Sequence, residues 1–359
     1  MMAEGEVTLY GRTLAAGDLL RRVGRLEQVA GIEPFVFDDG HERGVRALRV
    51  RTGTGFSFTV IPDRGLDIGA AEYNGMALAW SSPTGVVGPW YREPEGEGWL
   101  RSFHGGLLVT CGLSNVGVAS TKDGEPLGLH GRISNIPSSS ITYDTFWDSE
   151  GCRLEVRGRA RETRVFGPNL VLERRISARV GSSWLQIEDT VRNDGFSSTP
   201  LMLLYHLNLG WPLLDESSRL VGPGAPGETP EPRDADAAEG LKSWDRFDKP
   251  VSGFQERVFY HRPEADIEGW TEARLENPEL AGGAALWVRF RPEELPEFVQ
   301  WTMTGEGTYV LGFEPATCRV GGYEAERAVG RIIDLSPRET RRFQLQIGVD
   351  TLLGPGSVK

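Results

Sequence analysis

The chain has 359 residues, of which 39% are hydrophobic and 25% charged, and its formal net charge is −12. A chain of this length can bury a large core, and all-β sandwiches of this size often fold as one unit. The acidic balance argues against nucleic acids and anionic membranes, because both attract basic protein surfaces.

The cysteines and the hydrophobic runs exclude further classes of protein. The three cysteines are widely spaced, so they form neither a disulfide framework nor a C-x-x-C metal motif, and reduced thiols are expected. There is no run of about 18 apolar residues that would form a transmembrane helix, and no secretory signal. We therefore expect a cytoplasmic protein with a single domain over residues 1–359 and with neither nucleic-acid nor membrane partners.

The predicted elements begin with a helix and continue mainly as strands. Apolar spacing near 3.6 predicts a helix from Asp18 to Leu26, with Asp18 as N-cap, inside an N-terminal helical extension of about residues 13–30. A short helical turn is expected after Pro292, and a surface loop over residues 222–240, which are rich in Pro, Gly and Asp. Period-two alternation predicts strands at residues 45–50, 56–60, 153–157, 185–188, 286–290 and 343–347.

Strands recur along the whole chain without a regular alternation of strand and helix. This pattern predicts the all-β class, as a large antiparallel β-sandwich with one or two short helices. The sequence contains no internal repeat, and the two helices do not alter the predicted class.

The first polar cluster follows an apolar run and contains Arg64 and Asp67. The guanidinium of Arg64 can bind hydroxyls or a carboxylate, or the two side chains can form an ion pair with each other. Between this cluster and His104 lie, among other residues, the aromatic side chains of Trp80, Trp90, Tyr91 and Trp99. Aromatic rings stack on the C–H face of sugars, although those of a β protein more often pack in the core.

Three of the five histidines lie in settings that suit a binding or catalytic site. His104 precedes an apolar run, and His130 is followed by Gly131 and Arg132. His206 ends the apolar run of residues 201–205. An imidazole titrates near pH 6.5, so it can hold or give a proton at neutral pH. A buried structural histidine is the alternative at each position.

Glu314 follows the apolar run of residues 309–313 and precedes Pro315. A carboxylate in such a place must be paired, or its pKa must rise. It is therefore a candidate general base, or else a partner of Arg319. The histidines and Glu314 could in principle bind Zn²⁺ or Mn²⁺, but their wide spacing is not a metal motif, and no nucleotide-binding motif is present.

Three segments in order carry a resemblance to a known family: Leu-His-Gly at residues 129–131, Tyr-His-Leu-Asn-Leu at 205–209 and Phe-Glu-Pro at 313–315. They resemble the Leu-His-Gly-Gly, Asn-His-x-Tyr-Phe-Asn-Leu and Leu-Glu-x-Gln motifs of the aldose 1-epimerase (galactose mutarotase) superfamily. The segments at residues 63–68 and 110–113 look like a divergent branch of aldose-epimerase-like proteins of unknown function. The likeness to that branch covers about residues 19–349.

The resemblance implies a galactose mutarotase-like β-supersandwich and a sugar-ring enzyme that interconverts anomers of a monosaccharide or a modified sugar. In that role His206 is the general acid that protonates the ring oxygen, and Glu314 is the base. The resemblance also implies that His130 binds sugar oxygens. Further candidate substrate-binding residues, read from the sequence itself, are Arg64, Asp67, His104, Arg132 and Asn208, of which Arg64 and Asp67 have no counterpart in the mutarotase catalytic set. The implied partner is a small-molecule carbohydrate, and neither a metal nor an organic cofactor is needed.

The chain departs from true mutarotases at two places. Their Asn-Arg pair upstream of the first histidine is replaced by His104-Gly105-Gly106, and their sugar-binding aspartate has no clear counterpart, Asp245 being one guess. Two alternatives therefore stay open. One is a different sugar isomerase or epimerase on the same fold, assisted by a metal at the histidines, and the other is a non-catalytic carbohydrate-binding protein. The sugar and the oligomeric state also remain open.

Overall fold

The computed structural model describes residues 5–352, and those residues form 24 strands, three α-helices and eight short 3-10 turns. The strands are β1 (Glu6–Leu9), β2 (Arg12–Ala15), β3 (Gly31–Val36), β4 (Arg46–Arg51), β5 (Phe56–Ile61), β6 (Asp67–Tyr73), β7 (Met76–Ala77), β8 (Val109–Leu113), β9 (Ser120–Lys122), β10 (Glu125–Leu127), β11 (Ser139–Asp148), β12 (Gly151–Thr163), β13 (Asn169–Arg179), β14 (Trp184–Asn193), β15 (Thr199–Gly210), β16 (Arg219–Val221), β17 (Glu231–Pro232), β18 (Arg257–His261), β19 (Thr271–Asn277), β20 (Ala284–Phe290), β21 (Glu297–Gly305), β22 (Thr308–Ala316), β23 (Ile333–Leu335) and β24 (Thr340–Thr351). The helices are α1 (Ala16–Leu20), α2 (Ala235–Glu239) and α3 (Gly322–Ala328).

Two large antiparallel sheets dominate the described part of the chain. The first has eight strands in the order β11-β12-β13-β14-β24-β20-β19-β16. The second has seven, in the order β17-β18-β21-β22-β15-β23, with β8 also paired to β15. A five-stranded sheet, β3 to β7, and two small hairpins complete the fold. The predicted all-β antiparallel class is therefore confirmed.

The six runs predicted as strands lie in β4, β5, β12, β14, β20 and β24. Their alternation arises because successive side chains on a strand point to opposite faces. β14 shows this along its whole length, where half-buried and buried residues alternate without a break. One face of each such strand packs inward while the other meets solvent or a second layer.

The predicted helix is shorter than the sequence pattern suggests. α1 spans Ala16–Leu20, so Asp18 lies in its first turn, and Ala15 takes the N-cap position without a side-chain hydrogen bond. Gly24 disfavours a helix, and Arg25 already has extended backbone angles, φ −145° and ψ 141°. The apolar spacing near 3.6 in this segment therefore continues past the helix that it predicts.

The structure differs in detail from two further expectations, a surface loop and a short helical turn. The predicted loop at residues 222–240 contains β17 and the short helix α2, whose N-cap Asp234 accepts a hydrogen bond from the backbone N–H of Ala237 at 2.9 Å. The expected helical turn after Pro292 is a single turn, in which the N–H of Leu295 donates to the carbonyl of Arg291 at 2.9 Å.

β15 separates the main core from a second apolar layer. Tyr205, Leu207 and Leu209 belong to the large cluster that also contains residues of β13 and β14. Met202 and Leu204 belong to a smaller cluster on the opposite face. This alternation makes the even-numbered residues of β15 face outward from the main core, under the loops that follow β7 and β8. His206 is one of those even-numbered residues.

Candidate active site

The strand register brings His206 and Glu314 together. β15 and β22 pair antiparallel, with Leu204 opposite Ala316 and Leu207 opposite Phe313, which sets His206 directly across from Glu314. Side chains at such opposed positions are the closest neighbours on a sheet face. The Nε2 atom of His206 lies 3.3 Å from Oε1 of Glu314. Two residues 108 positions apart in sequence thus form one pair.

Both residues lie inside their strands, although each comes at the end of an apolar run in the sequence. β15 continues to Gly210, because the residues after His206 extend the pairing with β22. β22 continues through Pro315 to Ala316, and Pro315 keeps its place opposite Phe298 in the ladder. The pair is therefore held by a rigid sheet and not by a loop.

Gly312 leaves the space that the pair occupies. A Cβ atom at this position would lie 2.6 Å from Oε1 of Glu314, 3.0 Å from Cβ of Trp301 and 3.4 Å from Cε1 of His206. No side chain fits there without moving the carboxyl group. The glycine therefore has a steric role in the site, since its φ is not in the left-handed region.

The pair forms part of the floor of a cavity of about 710 Å³. The size lies within the range of pockets that bind small molecules. Five aromatic side chains line it: Trp80, Trp99, Phe103, Phe254 and Trp301. The polar and charged lining residues are Ser82, Thr84, Glu97, His130, His206, Arg233, Gln255, Glu256, Thr308 and Glu314. A cavity with aromatic walls and a few polar groups suits a ligand that has both hydroxyls and an apolar ring face.

The aromatic wall packs directly against the catalytic candidates. The ring of His206 lies 5.4 Å from that of Trp301 and 5.2 Å from that of Phe103, measured between centroids. Trp99 stacks on Phe103 at 4.3 Å and also contacts the ring of His130 at 4.7 Å. These contacts pack aromatic rings against both imidazoles.

Burial sets the protonation of the pair. Burial raises the pKa of Glu314 well above its ordinary value, and the nearby Glu256 carboxylate raises it further. Burial also lowers the pKa of His206 well below its ordinary value, as does the neighbouring His130. Desolvation disfavours the charged form of each group, so burial favours a neutral imidazole beside a protonated carboxyl.

His130 lines the cavity beside this pair. Its ring lies 5.7 Å from that of His206, and its Nδ1 accepts a hydrogen bond from the N–H of Gly117 at 3.3 Å. Burial lowers the pKa of His130 to about 4, so the imidazole is neutral at neutral pH. With Nδ1 acting as acceptor, the proton of the neutral ring sits on Nε2, which is thereby a hydrogen-bond donor.

The predicted binding residues Arg64 and Asp67 do not line the cavity. Arg64 is fully buried, and its guanidinium donates to three backbone carbonyls, those of Ser134, Val87 and Ser102. The last two bonds measure 2.8 Å. The side chain ties together three loop segments, because each of its three nitrogens donates to a different backbone carbonyl.

Asp67 has a similar internal role. Its carboxylate accepts hydrogen bonds from the N–H and the hydroxyl of Thr110, at 3.0 and 2.7 Å. It also lies 3.3 Å from the Arg174 guanidinium. Burial raises the pKa of Asp67 to about 6, against the lowering effect of Arg174. The expected ion pair between Arg64 and Asp67 is absent from residues 5–352, within which each has other partners.

Three other predicted residues also lie outside the cavity lining. His104 is buried, and neither of its ring nitrogens has a hydrogen-bond partner among the described residues. Arg132 is half-buried and lies close enough to Arg92 to lower the pKa of that guanidinium, after burial itself. Asn208 is fully buried on the same strand face as His206.

The geometry also decides two alternatives that the sequence left open. Arg319, the alternative partner of Glu314, instead binds Glu231 at 2.8 Å and Glu297 at 3.1 Å. Asp245, one guess for a sugar-binding aspartate, lies 3.2 Å from the Arg219 guanidinium and does not line the cavity.

The sequence reasoning missed one group of cavity residues. Trp301 donates its indole N–H to Glu256 at 2.8 Å, and the other oxygen of that carboxylate accepts from Arg233 at 2.9 Å. This chain of contacts fixes the wall opposite Trp99. The sequence alone does not show this group of residues, because Trp301 reaches the site only through the strand register that places Trp301 opposite Gly312.

Within residues 5–352, no set of three or more His, Cys, Asp or Glu side chains has an arrangement that would hold a metal ion. The helices of that same stretch are all too short or too polar to span a membrane.

Comparison with known proteins places this geometry in a family. The family model of the domain of unknown function DUF4432 matches residues 42–349. The chain belongs to the DUF4432 family. The match includes every residue of the cavity, and a search of the curated proteins gives no match for this DUF4432 protein.

Solved structures share its fold. A Klebsiella pneumoniae protein described as a "putative aldose 1-epimerase" has 28% sequence identity and a TM-score of 0.81, over 89% of this chain and 83% of that one. A galactose mutarotase-like protein from Clostridium acetobutylicum has 14% identity and a TM-score of 0.62, over 90% and 100%. A galactose 1-epimerase from Lactobacillus acidophilus has 15% identity and a TM-score of 0.58, over 90% and 99%. The last two show the fold alone.

These likenesses confirm the predicted galactose mutarotase-like β-sandwich. The likeness to the Klebsiella pneumoniae protein also confirms the resemblance of this DUF4432 chain to the aldose 1-epimerase superfamily.

Proposed function

We propose that this protein interconverts the α and β anomers of a free monosaccharide or modified sugar by acid–base catalysis. The observation that carries the proposal is the 3.3 Å contact between Nε2 of His206 and Oε1 of Glu314 on the floor of an aromatic cavity. The names of the solved relatives support it, since the Klebsiella pneumoniae protein bears the description of an aldose 1-epimerase.

Opening a sugar ring needs one proton donor and one acceptor. The acceptor takes the proton of the anomeric hydroxyl while the donor protonates the ring oxygen, and the bond from C1 to that oxygen breaks. The open-chain aldehyde rotates about its C1–C2 bond, and ring closure from the other face returns both protons. Each positioned acid or base typically contributes about 10²–10⁴-fold.

The resting protonation assigns the starting roles in this proposal. Burial raises the pKa of Glu314 and so favours its protonated form, and burial lowers the pKa of His206 and so favours the neutral imidazole. In one direction Glu314 is then the acid for the ring oxygen and His206 the base for the hydroxyl. The family resemblance implies the opposite start. Because the reaction is reversible and the groups exchange roles on closure, both descriptions use the same pair.

The remaining cavity residues suit sugar binding. The Nε2–H of His130 can donate to a sugar oxygen, where it would also stabilise developing negative charge. Trp301 and Phe103, whose ring centroids lie 5.4 and 5.2 Å from that of His206, offer apolar surfaces. The C–H face of a pyranose can pack on such surfaces. Neither a metal nor an organic cofactor takes part in this scheme.

The proposal is tested by measuring anomer exchange on a panel of free aldoses, deoxy sugars and uronic acids. Magnetisation-exchange NMR reports the exchange rate at equilibrium, and the same buffer without protein gives the uncatalysed rate. We expect a large acceleration for at least one member of the panel. Binding of a sugar without acceleration would instead support a non-catalytic carbohydrate-binding protein.

A further inference from the structure

Two buried polar atoms on the outward face of β15 have no hydrogen-bond partner among the described residues. They are Nδ1 of His206 and Oδ1 of Asn208. Residues two apart on a strand project from the same face and are neighbours there. A buried polar atom without a partner is costly, so an imidazole nitrogen and an amide oxygen that both lack partners on one strand face call for an explanation.

The orientation of the Asn208 amide follows from its other contacts. Its Nδ2 donates to the carbonyl oxygen of Gly106 at 3.1 Å and to that of His206 at 3.0 Å. The reversed amide would set its oxygen against two carbonyl oxygens, which cannot donate. The amide oxygen is therefore the free end, and it can act only as an acceptor.

We propose that Asn208 is a positioning residue that accepts a hydrogen bond from Nδ1–H of His206 and so leaves Nε2 unprotonated toward Glu314 and the cavity. This inference rests on the proposed function, because it explains how His206 presents a bare nitrogen to a sugar hydroxyl. Asn208 itself touches neither the cavity nor the reacting atoms.

The freedom of the imidazole ring to rotate and the electrostatics around it both suit this role. The two atoms fall outside hydrogen-bond geometry in the resting structure, but χ2 of a histidine has a broad minimum, so a small rotation of the ring costs little. The side chain of Asn208 already interacts with the imidazole strongly enough to raise the pKa of His206 against the lowering effects of burial and of His130. A neutral imidazole that donates through one nitrogen accepts through the other.

The tautomer of His206 affects Glu314, which lies beside Nε2 on the other side of the imidazole ring. Oε1 of Glu314 also has no hydrogen-bond partner among the described residues. A bare Nε2 at 3.3 Å can receive a proton from that carboxyl group, whereas an Nε2–H cannot. The tautomer of His206 therefore decides whether its Nε2 can act as the base for a sugar hydroxyl beside that carboxyl group.

The test is an NMR measurement of the imidazole nitrogens in the full-length protein labelled with ¹⁵N-histidine. Long-range ¹H–¹⁵N correlations identify which ring nitrogen carries the proton, and loss of one set of signals in His206→Gln assigns them. The same measurement is made on Asn208→Leu, which removes the acceptor, and on Asn208→Asp, which keeps an acceptor oxygen at the same place.

We expect the Nδ1–H tautomer in the unaltered protein and in Asn208→Asp, and mainly Nε2–H in Asn208→Leu. Anomer exchange should fall about 10- to 100-fold in Asn208→Leu, as is usual for residues that orient a functional histidine, and should recover in part in Asn208→Asp. An Nε2–H tautomer in the unaltered protein overturns the inference, even if Asn208→Leu fails to fold. So does an unchanged tautomer in a folded Asn208→Leu. Because the tautomer is read without substrate, the result stands whether or not the protein turns over a sugar.

Discussion

Nε2 of His206 and Oε1 of Glu314 lie 3.3 Å apart, although the two residues belong to strands separated by 108 positions in the chain. The antiparallel register of β15 and β22 sets them opposite each other, and Gly312 leaves the space beside them. Burial moves their pKa values in opposite directions. Both shifts have the same cause, because burial disfavours the charged form of each group, and strongly shifted pKa values in a cavity are typical of a functional site.

Gly312→Ala should disable the pair without unfolding the protein. The new Cβ would lie 2.6 Å from Oε1 of Glu314, and the flexible carboxyl end can move away at a cost of about 1–3 kcal/mol of stability. A displacement of about 1 Å can cost about 10²-fold in rate. Anomer exchange and urea unfolding should be measured together.

The matched control for this change is Gly17→Ala, where no atom lies within 4 Å of the added Cβ. It should keep full activity. If Gly312→Ala also keeps full activity at normal stability, the position of the Glu314 carboxyl does not matter and the pair is not catalytic.

Arg64→Ala should act mainly on stability. The guanidinium donates to the carbonyls of Ser134, Val87 and Ser102 and is fully buried. Because an unsatisfied buried polar group costs about 1–3 kcal/mol, the free energy of unfolding should fall by about 3 kcal/mol or more. The sequence alone predicted weaker ligand binding instead, and calorimetry with a bound sugar separates the two results.

Arg21→Ala is the control for Arg64→Ala. The side chain of Arg21 is exposed and pairs with the exposed Asp18, so its removal should cost only about 1 kcal/mol or less. Equal losses of stability in the two variants, with weaker sugar binding only in Arg64→Ala, would restore a ligand-binding role for Arg64.

The buried histidine His104 should make the protein less stable in mild acid. Burial lowers its pKa well below 6.5, so below pH 6.5 the unfolded imidazole takes up a proton that the folded one does not. The unfolded state then binds more protons, and stability falls as the pH drops. One histidine contributes a slope of about 1.4 kcal/mol per pH unit in this window.

His104→Leu should remove that share of the slope between about pH 5 and 6.5. It removes no side-chain hydrogen bond found within residues 5–352, so stability at pH 7.5 should change little or increase. Denaturant unfolding at several pH values measures the slope. An unchanged slope would mean that the folded His104 is protonated, and reduced sugar binding would support the substrate-binding role predicted from the sequence.

Glu256→Gln should shift the pH dependence of the reaction. After burial, the negative charge of Glu256 is the next cause that raises the pKa of Glu314. Its removal lowers that pKa, so Glu314 loses its proton at a lower pH and the alkaline limb of the pH–rate profile should move to lower pH. Glu97→Gln alters another acidic residue of the cavity wall and should leave the limb in place. A limb that does not move in Glu256→Gln would show that it belongs to another group.

The sequence predicted the fold class and the two central side chains, and the physical reason is local. Period-two alternation survives in strands such as β14, where one face is buried, and the apolar runs before His206 and Glu314 mark buried strands. The motif order then linked the two residues through the family resemblance. The helix was less predictable, because the apolar spacing near 3.6 continues past Leu20, where α1 ends.

The cavity wall could not be predicted in the same way. Trp301 reaches His206 through the pairing of β21 with β22, and Glu256 and Arg233 reach Trp301 through side-chain contacts. Such long-range register leaves no trace in a single sequence. Arg64 was predicted to bind a ligand but instead binds backbone carbonyls. The sequence pattern of a polar residue after an apolar run is the same in both cases.

The central claim is tested most directly by comparing the protein with His206→Gln on the sugar that exchanges fastest. Glutamine nearly fills the place of the imidazole but cannot accept a proton at neutral pH. The account predicts that anomer exchange falls by about 10²–10⁴-fold, while the melting temperature and the affinity for the sugar change little. Full exchange activity in a folded His206→Gln protein would contradict it.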